Sequence, residues 1–320
     1  MTSTSHQPTM KTRLIIFACV AGLAFLGACS KSSNGPDNPI GDSTTTATRL
    51  AGWGNSFSQF SLEYDGASKI SRVNYKVGNA PQQVLYNFSY STNQILLAAP
   101  PINDANVANS DSIFISIDAN NRIANTVRRY FKNAKAETYP QRTYQNEIVK
   151  YEYDGAGLLI KQIRNLEDST ITNFGYLETR VIRTTDTVIR AHTAGNLSTV
   201  NDFRTVTTIV RTPTNETLQV SRLEFTNTLS YDKAYPNKAD FSNQIVLSKL
   251  INLSPFQFDN KYLLLPNKVS THMVEKDGSG QVISTTDQLE NYDYTYGVNG
   301  LVFSKLNQNS NEGKVYYSYK

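Results

Sequence analysis

Read for hydrophobic and polar positions, the chain from Trp53 onward alternates with period two. In "EIVKYEYD", Val149, Tyr151 and Tyr153 fall on one face and Lys150 and Glu152 on the other. In "SRLEFTNTLSYD", Leu223, Phe225, Leu229 and Tyr231 share a side, opposite Arg222, Glu224, Thr226 and Thr228. "YDYTY" aligns Tyr292, Tyr294 and Tyr296, and "KVYYSYK" aligns Val315, Tyr317 and Tyr319. "ETRVIRTTDTVIRAHT" and "DFRTVTTIVRT" extend the pattern through residues 178–212. Period-two alternation marks half-buried antiparallel strands, and Thr, Tyr, Val and Ile suit a pleated surface. The predicted fold class is all-β: an antiparallel up-and-down meander curled into an open or closed barrel-like sheet. One stretch differs. "DFSNQIVLSKLIN", residues 240–252, spaces Phe241 and Ile245 four apart and then runs apolar, which predicts a short helix ended before Pro255, with a strand as the alternative.

The strands are punctuated by one recurring phrase. Tyr64-Asp65-Gly66-Ala67-Ser68-Lys69-Ile70 is the first copy and Ile117-Asp118-Ala119-Asn120-Asn121-Arg122-Ile123 the second. Tyr153-Asp154-Gly155-Ala156-Gly157-Leu158-Leu159 is the third and Lys276-Asp277-Gly278-Ser279-Gly280-Gln281-Val282 the fourth. Looser copies, without the aspartate, run over residues 90–96 and from Tyr296 through Gly300 to Val302. An Asp carboxylate accepts a hydrogen bond from a backbone N–H two residues on and starts a turn. Gly or Asn at the fifth position tolerates positive φ. The closing aliphatic residue restarts a strand. A catalytic aspartate is needed once, and a calcium loop converges several oxygen ligands, whereas each turn offers about one carboxylate. The repetition is therefore read as architecture.

The start of the chain carries a different signal. Lys11 and Arg13 precede an uncharged run, Leu14–Phe25, too short to span a bilayer, which takes about 20 residues. Basic residues, a short apolar core and small residues describe an export signal. It ends in Leu26-Gly27-Ala28-Cys29, which resembles the bacterial lipobox. That resemblance implies cleavage before Cys29, lipidation of its thiol and acylation of its freed amine. Met10 is an alternative start. Residues 1–28 are thus read as a lipoprotein signal peptide, 29–49 as the lipidated cysteine and a polar tether, and 50–320 as a single β-rich domain. The tether has almost no apolar residues and is too polar to pack. The other cysteine, Cys19, lies inside the signal, so the domain itself holds no thiol for a disulfide, nucleophile or metal site. At about 270 residues it is long enough to build its own core.

Charge changes this picture little. The chain has 31 basic and 27 acidic residues, or 29 against 27 without Lys11 and Arg13. That balance does not predict a nucleic-acid partner. The densest basic run, Arg128, Arg129, Lys132 and Lys135 around Tyr130 and Phe131, reads first as one wet strand face.

The Y-D-x-x-G-x-aliphatic phrases resemble, in degenerate form, the YD repeats of Rhs-type proteins. With the lipobox, the polar tether, and the segments "LSYDKAYPNK", "YLLLPNKVSTHM" and "YDYTYGVNGLVFSKL", residues 50–320 are similar to a group of Bacteroidetes lipoproteins of unknown function with a predicted porin-like fold. The resemblance implies an envelope location and no catalytic residues to carry over.

No enzyme motif stands out. His192 and His272 are solitary, no nucleophile elbow or phosphate-cradling glycine loop occurs, and no cofactor or metal is expected. The expected role is a lipid-anchored, non-catalytic envelope protein of the outer membrane, on its periplasmic face rather than the cell surface because no acidic run follows Cys29. It would bind a glycan, lipid or partner protein, with Tyr292, Tyr294 and Tyr296 as the candidate binding face. Two alternatives stand beside it: a glycoside-active enzyme with a carboxylate pair from distant segments, and an integral outer-membrane barrel.

Overall fold

The computed structural model describes residues 50–67, 69–103, 107–120, 122–134, 140–234, 264–297, 302–309 and 314–319. Among them the regular structure is entirely β. The strands are β1 (Leu50–Gly54), β2 (Ser58–Tyr64), β3 (Ile70–Val77), β4 (Gln83–Tyr90), β5 (Gln94–Ala98), β6 (Ile102–Asn103) and β7 (Val107–Ile117). They continue as β8 (Ile123–Ala134), β9 (Gln141–Tyr153), β10 (Leu159–Asn173), β11 (Leu177–Thr193), β12 (Asn196–Arg211) and β13 (Glu216–Ser230). The last four are β14 (Lys268–Asp277), β15 (Val282–Tyr296), β16 (Val302–Asn307) and β17 (Lys314–Tyr319). Residues 240–252, read above as a short helix, lie outside the described residues.

Apart from β5 and β6, each strand pairs antiparallel with its neighbour in sequence, and β1 also pairs with β17, so the meander closes into a barrel. β5 and β6 both lie against β7 and form one interrupted stave, which makes sixteen staves among the described residues. The interruption falls at Pro100-Pro101, where two residues without N–H groups cannot continue a ladder. The wall is uneven. β9–β13 and β15 are 13 to 17 residues long, whereas β1–β5, β16 and β17 are 5 to 8. At roughly 3.3 Å per residue, the long strands extend some 30 Å beyond the short ones.

Sixteen staves enclose more space than side chains can fill. The apolar residues therefore collect at one end, where the first three aspartate turns lie. One cluster joins Trp53, Leu62, Ile70, Val73, Leu197, Val200, Leu229, Val269, Tyr292, Tyr294, Val302 and Tyr317. The other joins Tyr86, Leu97, Ile113, Ile115, Ile123, Val149, Tyr151 and Leu159. Together with Val188 of β11, which packs against the first, they take a residue from every stave and ring the barrel at that end.

A second use of the repeated phrase appears in this ring. Tyr90 donates its hydroxyl to the Ile70 carbonyl at 2.8 Å, and Tyr153 to that of Ile123 at 2.9 Å. Ile70 and Ile123 are the closing aliphatics of the first two copies. Tyr64 likewise reaches Leu50, and Tyr231 reaches Leu197, both at 2.6 Å. Tyr64, Tyr90 and Tyr153 each end a stave and latch onto the first residue of the stave before it, and Tyr231, just past β13, reaches the second residue of β12.

Candidate site on the inner wall

The aspartates of the repeat serve their own turns. Asp65 accepts the backbone N–H groups of Ala67 and Lys69, Asp118 those of Asn120 and Arg122, and Asp277 those of Ser279 and Gln281, all at 2.8–2.9 Å. Asp154 accepts from Leu158 at 2.8 Å. In all four turns the aspartate N–H also donates to the carbonyl four residues on. The Arg122 N–H holds the Asp118 carboxyl below the usual range, and the Ser279 hydroxyl does the same for Asp277. Gly157 and Gly280, at the fifth position, have φ of 79° and 92°, where a side chain would be strained. Gly66, Gly155 and Gly278, at the third position, are not in the left-handed region. Asp154 and Asp65 are spent on the turns at the apolar end, and Asp277 closes a turn at the other. Cys29 and Gly300 lie outside the described residues.

The tyrosine face reads differently in three dimensions. Tyr292 and Tyr294 are buried in the apolar cluster with Tyr296 packed against it. Tyr294 donates its hydroxyl to the Pro266 carbonyl at 3.0 Å, Tyr292 donates to Glu290 at 2.7 Å, and the Lys305 ammonium sits over the Tyr292 ring at 4.0 Å. Closing the barrel turns these rings inward among neighbouring staves, so they are not an open binding face.

Toward the taller end the inner face becomes charged. Tyr86 on β4 donates to Asp111 on β7 at 2.6 Å, and Arg128 on β8 grips the same carboxylate through two nitrogens, at 3.0 and 2.7 Å. Arg128 stands directly opposite Glu147 on β9. Arg164 on β10 bonds Glu147 at 2.5 Å and Asp186 on β11 at 3.0 Å. Arg204 on β12 completes the band, bonding Asp186 and Asp202 at 3.0 Å each. The register accounts for this order: Arg164, Asp186 and Arg204 are successive cross-strand partners on one face. Burial works against the Arg128 and Arg164 cations, but the facing carboxylates outweigh it and raise both above the ordinary guanidinium value. Burial raises the Asp202 carboxyl, opposed by Arg204. It also raises Asp168, farther up the same wall, opposed by the Gln145 amide.

The band is asymmetric in what it shows to water. Its arginine side chains keep 19–34% of their surface exposed, its carboxylates only 4–17%. What faces the interior is a row of guanidinium edges held by buried acids. Such a row donates hydrogen bonds to hydroxyl, carboxylate or phosphate oxygens. The period-two pattern assigns Arg164, Asp186 and Arg204 to one face of their strands, but only the pairing register brings them together. The basic run divides: Arg128 points inward, whereas Arg129 points outward over Phe114.

Among the described residues no group of three or more His, Cys, Asp or Glu is placed to hold a metal ion. His272 pairs with Asp287 at 2.7 Å on the outer surface. No family model matches the chain, and no curated protein matches it.

Proposed function

We propose that this protein is an exported lipoprotein, held by lipid on Cys29, whose barrel binds an oxygen-rich ligand of the glycan class on its inner wall without transforming it. The observation that carries the reading is the arginine band: three guanidinium donors open to the interior, set against four carboxylates. A donor-rich wall without excess positive charge suits a polyhydroxylated ligand better than a strongly anionic one. Within the band each acid is bonded by arginine, which supports binding there over glycoside hydrolysis, where one carboxyl must stay free to give a proton; Asp168, farther up, meets the Gln145 amide instead. The likeness to YD-bearing lipoproteins belongs to this same reading.

The outer surface supports a barrel bathed in water. Glu167–Arg183, Glu63–Arg72 and Lys161–Glu152 form ion pairs there at 2.8–3.3 Å with both partners exposed. Staves of 5 to 8 residues also fall short of the nine to eleven that a membrane-spanning strand needs. A lipid anchor then supplies the attachment.

Titration of the full chain in detergent micelles with neutral and acidic oligosaccharides tests the binding. Saturable heat is expected for at least one class, weakened tenfold or more in Arg164→Gln and Arg128→Gln. No binding to either class, or binding unchanged in both variants, would refute it.

A further inference from the structure

β15 has two neighbours over only part of its length. Tyr292–Tyr296 pair with β16, but Val282–Asn291 pair with β14 alone. Among the described residues, pairing from the β16 side ends at Asn291, whose carbonyl accepts the Gln308 N–H and whose N–H donates to Asn309. From Val282 to Glu290 the far edge of β15 has no partner strand among the described residues, and every residue but Ser284 and Glu290 is exposed. Proteins blunt such edges with lysine, proline, a bulge or unpaired charge. This stretch, "VISTTDQLE", has no lysine or proline, its one register shift against β14 is confined to its start, around Ile283, and its acid Asp287 is already paired with His272. Its outward positions include Ile283 and Leu289, 54% and 43% exposed.

We propose that this edge pairs with the same edge of a second copy, antiparallel about a twofold axis, with Thr286 opposite Thr286 of the second copy. The sequence of the edge selects this occupant and register. A twofold perpendicular to the sheet keeps the inner face of one copy continuous with that of the other and must centre on a residue. Centred on Thr286, it sets Leu289 against Ile283, Asp287 against Thr285 and Gln288 against Ser284. Leu289 and Ile283 meet as apolar partners and no like charges face each other, while Val282, at the end of the edge, meets Glu290. Centring on Asp287 opposes two carboxylates, and centring on Thr285 sets Asp287 against Ile283. The outward row Ile283, Thr285, Asp287, Leu289 is thus self-complementary in one register. This inference does not depend on the ligand reading.

Light scattering and oxidative cross-linking of the full chain in detergent micelles test it, with the parent chain and its Cys19 and Cys29 as control. A dimer is expected. Thr286→Cys should form a disulfide-linked dimer on oxidation, since directly opposed Cα atoms lie about 4.5–5.5 Å apart, within disulfide reach. Ile283→Cys and Leu289→Cys should cross-link when mixed and not alone. Thr286→Lys should weaken association at least tenfold with the circular dichroism spectrum and melting point unchanged, because Thr286 is exposed. A monomeric parent chain would overturn the proposal and leave the edge to an extended segment of another protein. A dimer that neither cross-links at Thr286→Cys nor responds to Thr286→Lys would overturn it as well.

Discussion

A tyrosine hydroxyl and an aspartate carboxylate explain why one phrase recurs along this chain. The aspartate satisfies backbone donors that a tight turn leaves without partners, and the tyrosine ties that turn to the preceding stave. Each latch is a single hydrogen bond, so Tyr90→Phe and Tyr153→Phe should each cost about 1 kcal/mol in denaturant unfolding. The Asp-bearing turn stays intact in both variants. The latches also set an alkaline limit. Burial, then Asp65 and Tyr64, push Tyr90 up to about 12, and burial alone pushes Tyr231 up to about 12. A phenol whose folded value lies above its unfolded value of about 10 holds its proton more tightly when folded. Its contribution is complete below pH 10 and is lost as pH rises toward 12. Unfolding midpoints should fall across that window. In Tyr90→Phe the fall should be shallower.

Among elements, the inner band has the highest stakes. Asp186 is 3% exposed and bonded by two arginines from the flanking staves. Removing it takes one of two carboxylates from each of Arg164 and Arg204, which keep Glu147 and Asp202, so Asp186→Ala should cost about 1.5–3 kcal/mol, as for lost hydrogen bonds to charged groups. The exposed pair Arg183–Glu167, on the outer face of the same β10–β11 pair, is solvated on both sides, and Glu167→Ala should cost no more than about 1 kcal/mol. Urea unfolding of the two variants side by side checks the contrast; equal losses would mean the band is not the keystone described here. A strand-level contrast follows for β1. A Cβ on Gly52 would collide with the Phe60 backbone carbonyl of β2, so Gly52→Ala should loosen the β1–β2 pairing and lower the melting temperature by several degrees, whereas Gly66→Ala meets open space and should leave it nearly unchanged.

For the whole molecule, the proposed envelope location raises the question of what would hold the barrel there. Exposed outer ion pairs and short staves make the wall a poor membrane span, so attachment should rest on Cys29. Cys29→Ser should leave the barrel folded, with its melting point kept, and move it from the membrane pellet to the supernatant. Mass spectrometry of the parent chain should find a first residue heavier than cysteine by its acyl groups. Retention of Cys29→Ser in the pellet after carbonate washing would instead assign the attachment to the wall itself.

The chain's own pattern determined the strands, their antiparallel order and the turn chemistry, because each depends on neighbours a few residues apart. Tyr-Asp-Gly marks its hairpin wherever it stands, and Val149, Tyr151 and Tyr153 select one face without help from the rest of the molecule. Closure, the tall and short halves of the wall, and the arginine band were decided only in three dimensions. Arg164, Asp186 and Arg204 are about twenty residues apart, and nothing local marks them as partners. They meet because β10, β11 and β12 pair in one register of many that alternation alone permits. Tyr292 and Tyr294 show the same limit from the other side. Alternation put them on a common face, but joining β1 to β17 made that face an interior.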